Sequence, residues 1–185
     1  PKPRIEPVQR GERQIQVEAP AELPFLVMGY KVPVLSSLPE NERWKAYALE
    51  VLAGVLDGGD SARLARELVR GKQIAASAGA GYDLYARLKS LLTLQGTPAR
   101  GHTMTELEEA LREQIRRLRK EPVAPDELER IKAQVAASKV YEQDSVFYQA
   151  MQIGMLETVG LDRTLAEQYL DRVRAVTAEQ VQQVA

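Results

Sequence analysis

Between Asp57 and Arg70 the chain reads Asp-Gly-Gly-Asp-Ser-Ala-Arg-Leu-Ala-Arg-Glu-Leu-Val-Arg, a run that forces a change of direction between two helices. The residues before it place Trp44, Leu49, Leu52, Val55 and Leu56 at near-helical spacing, so a helix with an apolar face enters the run. Gly58-Gly59 supplies the left-handed or tight backbone that ends such a helix. Asp60 or Ser61 can then cap a second, short helix over residues 61–69. Residues 74–83 are mostly Ala, Gly and Ser, which marks a strand where another backbone packs close.

The rest of the chain fits around this turn. Residues 1–12 are rich in proline and charge, without an apolar period, and read as a linker; residues 13–185 read as one domain. Residues 13–18 alternate, with Ile15 and Val17 on one side, as a half-buried strand does. Residues 25–34 hold Val27, Met28, Tyr30 and Val32 between Pro24 and Pro33, which suits a central strand. Ser37-Leu38-Pro39-Glu40 reads as the start of the first helix, with Ser37 as its cap. Residues 88–97, with Leu91, Leu92 and Leu94, read as the neighbour of the small-residue strand.

Helices fill the second half. Thr103-Met104-Thr105-Glu106 is a capping box, followed by an apolar stripe of Leu107, Leu111, Ile115 and Leu118. Pro122 ends that helix. Pro125-Asp126-Glu127 opens the next, with proline early and acids at the positive end. No Gly or Pro interrupts the chain from there to Gly154, so a long helix is expected, bending near Glu142-Gln143-Asp144 where the apolar period falters. Shorter helices are expected at 164–173 and 177–185, the second begun by Thr177-Ala178-Glu179-Gln180. Neighbouring strands and grouped helices give an α+β fold, an antiparallel sheet with helices packed on one face.

Composition removes several functions. With 44% apolar and 28% charged residues the chain has the make-up of a globular protein, and no apolar run reaches the length of a membrane span. Lys+Arg number 25 against 26 Asp+Glu, so no basic surplus points to nucleic acid. The absence of cysteine excludes thiol catalysis and thiolate metal sites. His102 is the only histidine, whereas H-x-x-E-H and H-E-x-x-H zinc sites each need two. It lies before a helix cap and reads as a loop or capping residue. No G-x-S-x-G, G-x-G-x-x-G or phosphate-binding glycine loop is present. The stretch 136–148, with Tyr141, Phe147 and Tyr148, reads as core and interface packing. By its own chemistry the chain is not an evident catalyst.

Four stretches together resemble one family, the M16 (pitrilysin/insulinase-like) zinc metallopeptidases, in their later, non-metal-binding domain. They are Ala48-Leu49-Glu50-Val51-Leu52 through Gly58-Gly59-Asp60-Ser61-Ala62-Arg63-Leu64; Glu67-Leu68-Val69-Arg70 with the strand after it; Thr97-Pro98-Ala99-Arg100-Gly101-His102-Thr103; and Pro125-Asp126-Glu127-Leu128-Glu129-Arg130-Ile131-Lys132. The resemblance runs from about Glu22 to Ala185. It implies a chamber between two similar α+β halves, one carrying H-x-x-E-H with zinc and a glutamate base, the other closing the chamber over an extended peptide. This chain matches the second half. The zinc of the parent protein is then expected in sequence that precedes Pro1, not on this chain. The abrupt start at Pro1 reads as that of an excised piece, and a last strand is expected beyond Ala185. A periplasmic or secreted location is what the resemblance suggests.

The resemblance also implies site residues. Facing domains of the family present an arginine and, seven residues on, a tyrosine that hold substrate near the scissile bond. Arg70 matches the arginine, but position 77 is Ser77, too short to replace a phenol. Tyr82 lies at an odd offset from Ser77 and points to the opposite side of a strand. The missing tyrosine implies a second M16 subunit with a complete Arg/Tyr pair as partner. Gly58 and Gly59 sit where processing-peptidase relatives have a glycine-rich substrate loop; a plain turn is the other reading. A substrate-chamber domain of a peptide-cleaving zinc enzyme is thus expected. The alternative is a non-catalytic structural or assembly subunit of the same family, and no feature supports an unrelated binding module.

Overall fold

Side-chain alternation along three short strands decides which side of the sheet is covered. The computed structural model describes residues 9–143 and 145–185; most of the expected linker, and Asp144 at the expected bend, lie outside them. The strands are β1 (Leu26–Val32), β2 (Ala75–Gly81) and β3 (Ser90–Pro98), antiparallel in the order β1-β3-β2. Met28 stands opposite Leu94 and Tyr30 opposite Leu92. Met28, Leu92 and Leu94 are buried under the helices, while Val27, Leu91 and Gln95 on the other face are exposed. The architecture is the expected α+β sheet with helices on one face.

Two strand expectations change. The 25–34 strand is β1, at the edge of the described sheet; the central place goes to β3, whose Leu92 and Leu94 are both buried. Residues 13–18 form no strand, and Ile15 and Val17 stand 84% and 79% exposed. Alternation needs a ladder partner, and among the described residues none pairs with this segment; the preceding Glu12 instead pairs with Arg112. At the β2–β3 contact the small-residue reading holds. A Cβ on Gly96 would sit 2.6 Å from the Ser77 carbonyl oxygen and 3.4 Å from Leu107, beside an irregularity between Ala75 and Ser77.

The helices are α1 (Trp44–Asp57), a π-helix (Leu64–Gly71), α2 (Met104–Lys120), α3 (Pro125–Gln143), α4 (Val146–Val159), α5 (Thr164–Arg174) and α6 (Ala178–Val184). Helix α1 is the hub, with Tyr47, Leu49, Leu52 and Leu56 all fully buried. It begins later than Ser37-Leu38-Pro39-Glu40 suggests, because Pro39 is extended (ψ 156°) and only short 3₁₀ turns precede Trp44. The Ser37 hydroxyl accepts from Val34 N at 2.9 Å and so serves the first of those turns. Helices α1 and α3 cross closely: a Cβ on Gly54 would lie 2.9 Å from Ile131 Cγ2.

Capping explains the other boundaries. Thr103 and Glu106 form the expected capping box of α2, and Thr177 and Gln180 that of α6. The long helix expected from Pro125 to Gly154 is two helices, α4 starting afresh with the Ser145 hydroxyl accepting from Tyr148 N at 3.3 Å. Gly160, at φ +78°, ends α4 in the left-handed conformation.

Candidate functional site

Backbone geometry calls for glycine at both positions of the turn after α1. Gly59 has φ +95°, a conformation costly for any residue with a Cβ. A Cβ on Gly58 would fall 2.4 Å from the Gly54 carbonyl oxygen and 3.0 Å from Ile131 Cδ1. Asp57, closing α1, turns its carboxylate to the outer edge of β2, where Oδ2 accepts from Ala80 N at 3.1 Å. The same oxygen would lie 3.1 Å from a Cβ on Gly79, so the small residues of β2 give the acid room to dock.

The element that follows is not the short α-helix that Asp60 or Ser61 would cap. It is a π-helix whose first turn has no side-chain cap, and its last turn is wide, Lys72 N donating to the Glu67 carbonyl at 2.8 Å. Ser61 has another role, its hydroxyl accepting from Arg130 Nη1 of α3 at 2.8 Å.

Arg70 emerges exposed from the end of this π-helix, and its Nη2 donates to the Asp60 carbonyl. Arg70 and the Gly58-Gly59 turn therefore share one rim. Ser77 is exposed on β2, opposite Thr97. Among the described residues no hydrogen bond joins its hydroxyl to Arg70 or to the glycine turn. Tyr82 lies just beyond β2 and donates its hydroxyl to the Pro33 carbonyl at 2.7 Å. Burial, with the nearby carboxylates of Glu50 and Asp83, pushes that phenol well above its ordinary range.

Below Arg70 the π-helix is anchored by contacts that sequence reasoning missed. Arg63 is buried with Glu127 of α3: Nε lies 3.1 and 3.2 Å from the two carboxylate oxygens, and Nη2 is 2.6 Å from Oε2. The pair joins positions 64 residues apart, and no periodicity of either segment predicts it. The only signal was that both residues fall in stretches carrying the family resemblance. Glu67 accepts from Arg66 at 3.0 Å, from Gln114 Nε2 at 3.1 Å and from Arg117 of α2. Burial raises the Glu67 carboxyl, but these hydrogen bonds outweigh it and hold it below the usual carboxylate range. Arg70 thus stands on a base tied to both α2 and α3.

The remaining candidates sort simply. His102 has its Nδ1 3.6 Å from Glu106 Oε2, beside the α2 capping box. Among the described residues no three His, Asp or Glu side chains are grouped to hold a metal ion, and no helix is long and apolar enough to cross a membrane. In the stretch 136–148, read as packing, Phe147 is 77% exposed in this chain, because α4 starts afresh at Val146 and turns that residue outward. The side chain of Tyr141 lies outside the described residues.

Comparison with known proteins agrees with this architecture. The family model described as the peptidase M16 inactive domain matches residues 1–135. Among solved structures, a protease from Helicobacter pylori is similar over 89% of this chain and 38% of its own, with a TM-score of 0.78 and 21% identity. The inactive peptidase domain of a candidate zinc protease from Bordetella parapertussis is similar over 89% of this chain and 83% of its own, with a TM-score of 0.74 and 20% identity. A peptidase M16 inactive domain from Pseudomonas fluorescens gives a TM-score of 0.71 at 17% identity, over 86% of this chain and 36% of its own. The chain therefore spans well under half the length of two of these neighbours. No curated protein sequence matches it. With the family model covering most of its length, the chain belongs to the peptidase M16 family, as an inactive domain.

Proposed function

We propose that the chain is the substrate-chamber half of a zinc metalloendopeptidase that cleaves peptides. Its partner in this reading is an N-terminal half of the same protein bearing H-x-x-E-H. Membership of the inactive-domain family carries the proposal. The likeness to a domain from a candidate zinc protease supports it. The sequence also fits the division of labour: one histidine and no cysteine cannot build the family's zinc motif, so zinc belongs to the other half, where it would polarise the attacking water.

In this proposal Arg70 holds the extended peptide. Its guanidinium is exposed, always charged and suited to carbonyl or carboxylate groups of a substrate. Ser77 and the Gly58-Gly59 turn contribute at most the shape of the nearby surface, and a second M16 subunit with an Arg/Tyr pair would supply the missing phenol. The test is Arg70→Ala in the protein assembled with its zinc-bearing half. A fall in kcat/KM of about tenfold or more, with unchanged thermal unfolding, is expected from loss of one charged hydrogen bond. If no peptide is cleaved by the assembled protein with zinc bound, the chain is a structural or assembly subunit instead. Metal analysis of this chain alone is expected to find no stoichiometric zinc; one tightly held ion per chain would overturn the division of labour.

A further inference from the structure

Helices α1, α3, α4 and α5 and the loop after β2 surround a cavity of about 820 Å³, with Gly58 and Gly59 in part of its wall. Its chemistry is one-sided. Around it stand the carboxylates of Glu50 and Asp83 and the rings of Tyr82, Tyr85, Tyr148 and Tyr169, and the described lining contains no Lys, Arg or His. Tyr169 donates its hydroxyl to Glu50 Oε1 at 3.2 Å, and Tyr82 gives its own to the Pro33 carbonyl. Among the described residues that line the cavity, a carboxylate taken from water stands beside neutral phenols with no cation as counter-charge. Tyrosine faces attract cations through the negative face of the ring. Met151 and Met155, which line the same space from α4, offer soft and adaptable apolar contact.

We propose that this cavity binds an organic ammonium carried on a hydrocarbon stem, the group shared by a lysine side chain and a free alkylamine. Glu50 supplies the counter-charge, the tyrosine rings flank the cation, and the two methionines pack the stem. A volume of this order suits a small ligand or a single inserted side chain. Burial is the main cause that raises the Glu50 carboxyl, to about 6, with Asp83 adding to it and the Tyr169 hydrogen bond opposing it. It is therefore ionised at neutral pH. The proposal does not depend on the peptidase reading, since it needs neither zinc nor the partner half.

The experiment is a titration of the chain, followed by calorimetry and by NMR of the tyrosine rings. The probes are n-butylammonium and N-acetyl-lysine amide, set against neutral n-butanol and N-acetyl-norleucine amide. Both ammonium probes are expected to saturate, and the neutral probes to bind at least about tenfold more weakly. Glu50→Gln should weaken ammonium binding by about tenfold. Met155→Lys, at an exposed position of α4, places a tethered ammonium in the cavity and should abolish binding with the fold intact, so it carries the comparison if Glu50→Gln fails to fold. Equal affinity for the two ammonium probes assigns recognition to the amine itself, and preference for the lysine derivative assigns it to a peptide side chain; either supports the proposal. Neutral and charged probes binding alike, no saturation by any ammonium, or Met155→Lys binding as wild type would overturn it.

Discussion

Replacing Arg63 by alanine isolates the contact on which the π-helix rests. Arg63 and Glu127 are 9% and 10% exposed in their side chains and bonded through a two-pronged fork. Removing the guanidinium leaves a buried carboxylate with no cation, which typically costs about 3–5 kcal/mol, whereas an exposed ion pair is worth about 1 kcal/mol or less. Placement of Glu127 in the first turn of α3 offsets part of that cost through the helix dipole, by about 0.3–1 kcal/mol. An expected loss of about 3 kcal/mol follows, which for a chain of this size lowers Tm by roughly 6–12 °C. The assay is guanidinium and thermal unfolding followed by circular dichroism, with Arg63→Met/Glu127→Leu as the control. That double variant keeps the volume and leaves no orphan charge, so it should recover most of the loss. A loss below about 1 kcal/mol for Arg63→Ala, or a double variant no better than the single, would refute the reasoning.

Three other perturbations test separate parts of the fold. Gly96→Ala forces a Cβ to within 2.6 Å of the Ser77 carbonyl and should cost about 1–3 kcal/mol in denaturant unfolding; a neutral effect would show that the β2–β3 approach is loose. Thr103→Ala removes one half of the α2 capping box and should cost about 1 kcal/mol by the same measurement, with Thr103→Ser close to wild type. Glu50 gives a pH signature. Its folded carboxyl titrates at about 6 against 4.5 ordinarily, so the folded state binds the extra proton between those values. The stabilisation from that proton is complete below pH 4.5 and is lost as pH rises through about 6, an effect on the order of 2 kcal/mol. Glu50→Gln should flatten this fall in the stability profile, and parallel curves for the two proteins would contradict it.

Local chemistry was legible in the sequence wherever a residue acts on its immediate neighbours. The Thr103 and Thr177 boxes, the buried stripe of Leu107, Leu111 and Leu118, and the small-residue strand β2 could all be read this way, because each depends on residues within a turn or a ladder. The segment 13–18 shows the limit: its alternation is real, but a strand also needs an adjacent edge, which no local pattern specifies. The break between α3 and α4 shows in the sequence only as a faltering period, since Ser145 becomes a cap only once the chain has left the helix. In the site, Gly58 and Gly59 were legible as a turn and Arg70 as a candidate through resemblance. The Arg63–Glu127 fork and the tyrosines around Glu50 were not, because they gather residues from distant segments.

The wide last turn of the π-helix has a geometric consequence for the rim above it. In an α-helix each residue advances by about 100° around the axis, so position along the chain fixes direction. Closing a turn from Lys72 back to Glu67 takes in one residue more than an α-turn would, so the residues within it, Arg70 included, and those after it are out of phase with an α-helix. Leu64 and Leu68 stay in the core while Arg70 comes round to face the Asp60 carbonyl. Deleting a single residue between Glu67 and Arg70 would set the arginine back one position in the winding and swing its guanidinium by roughly 100°. The aim of Arg70 is written in the length of the backbone beneath it, and could be redirected without altering the arginine itself.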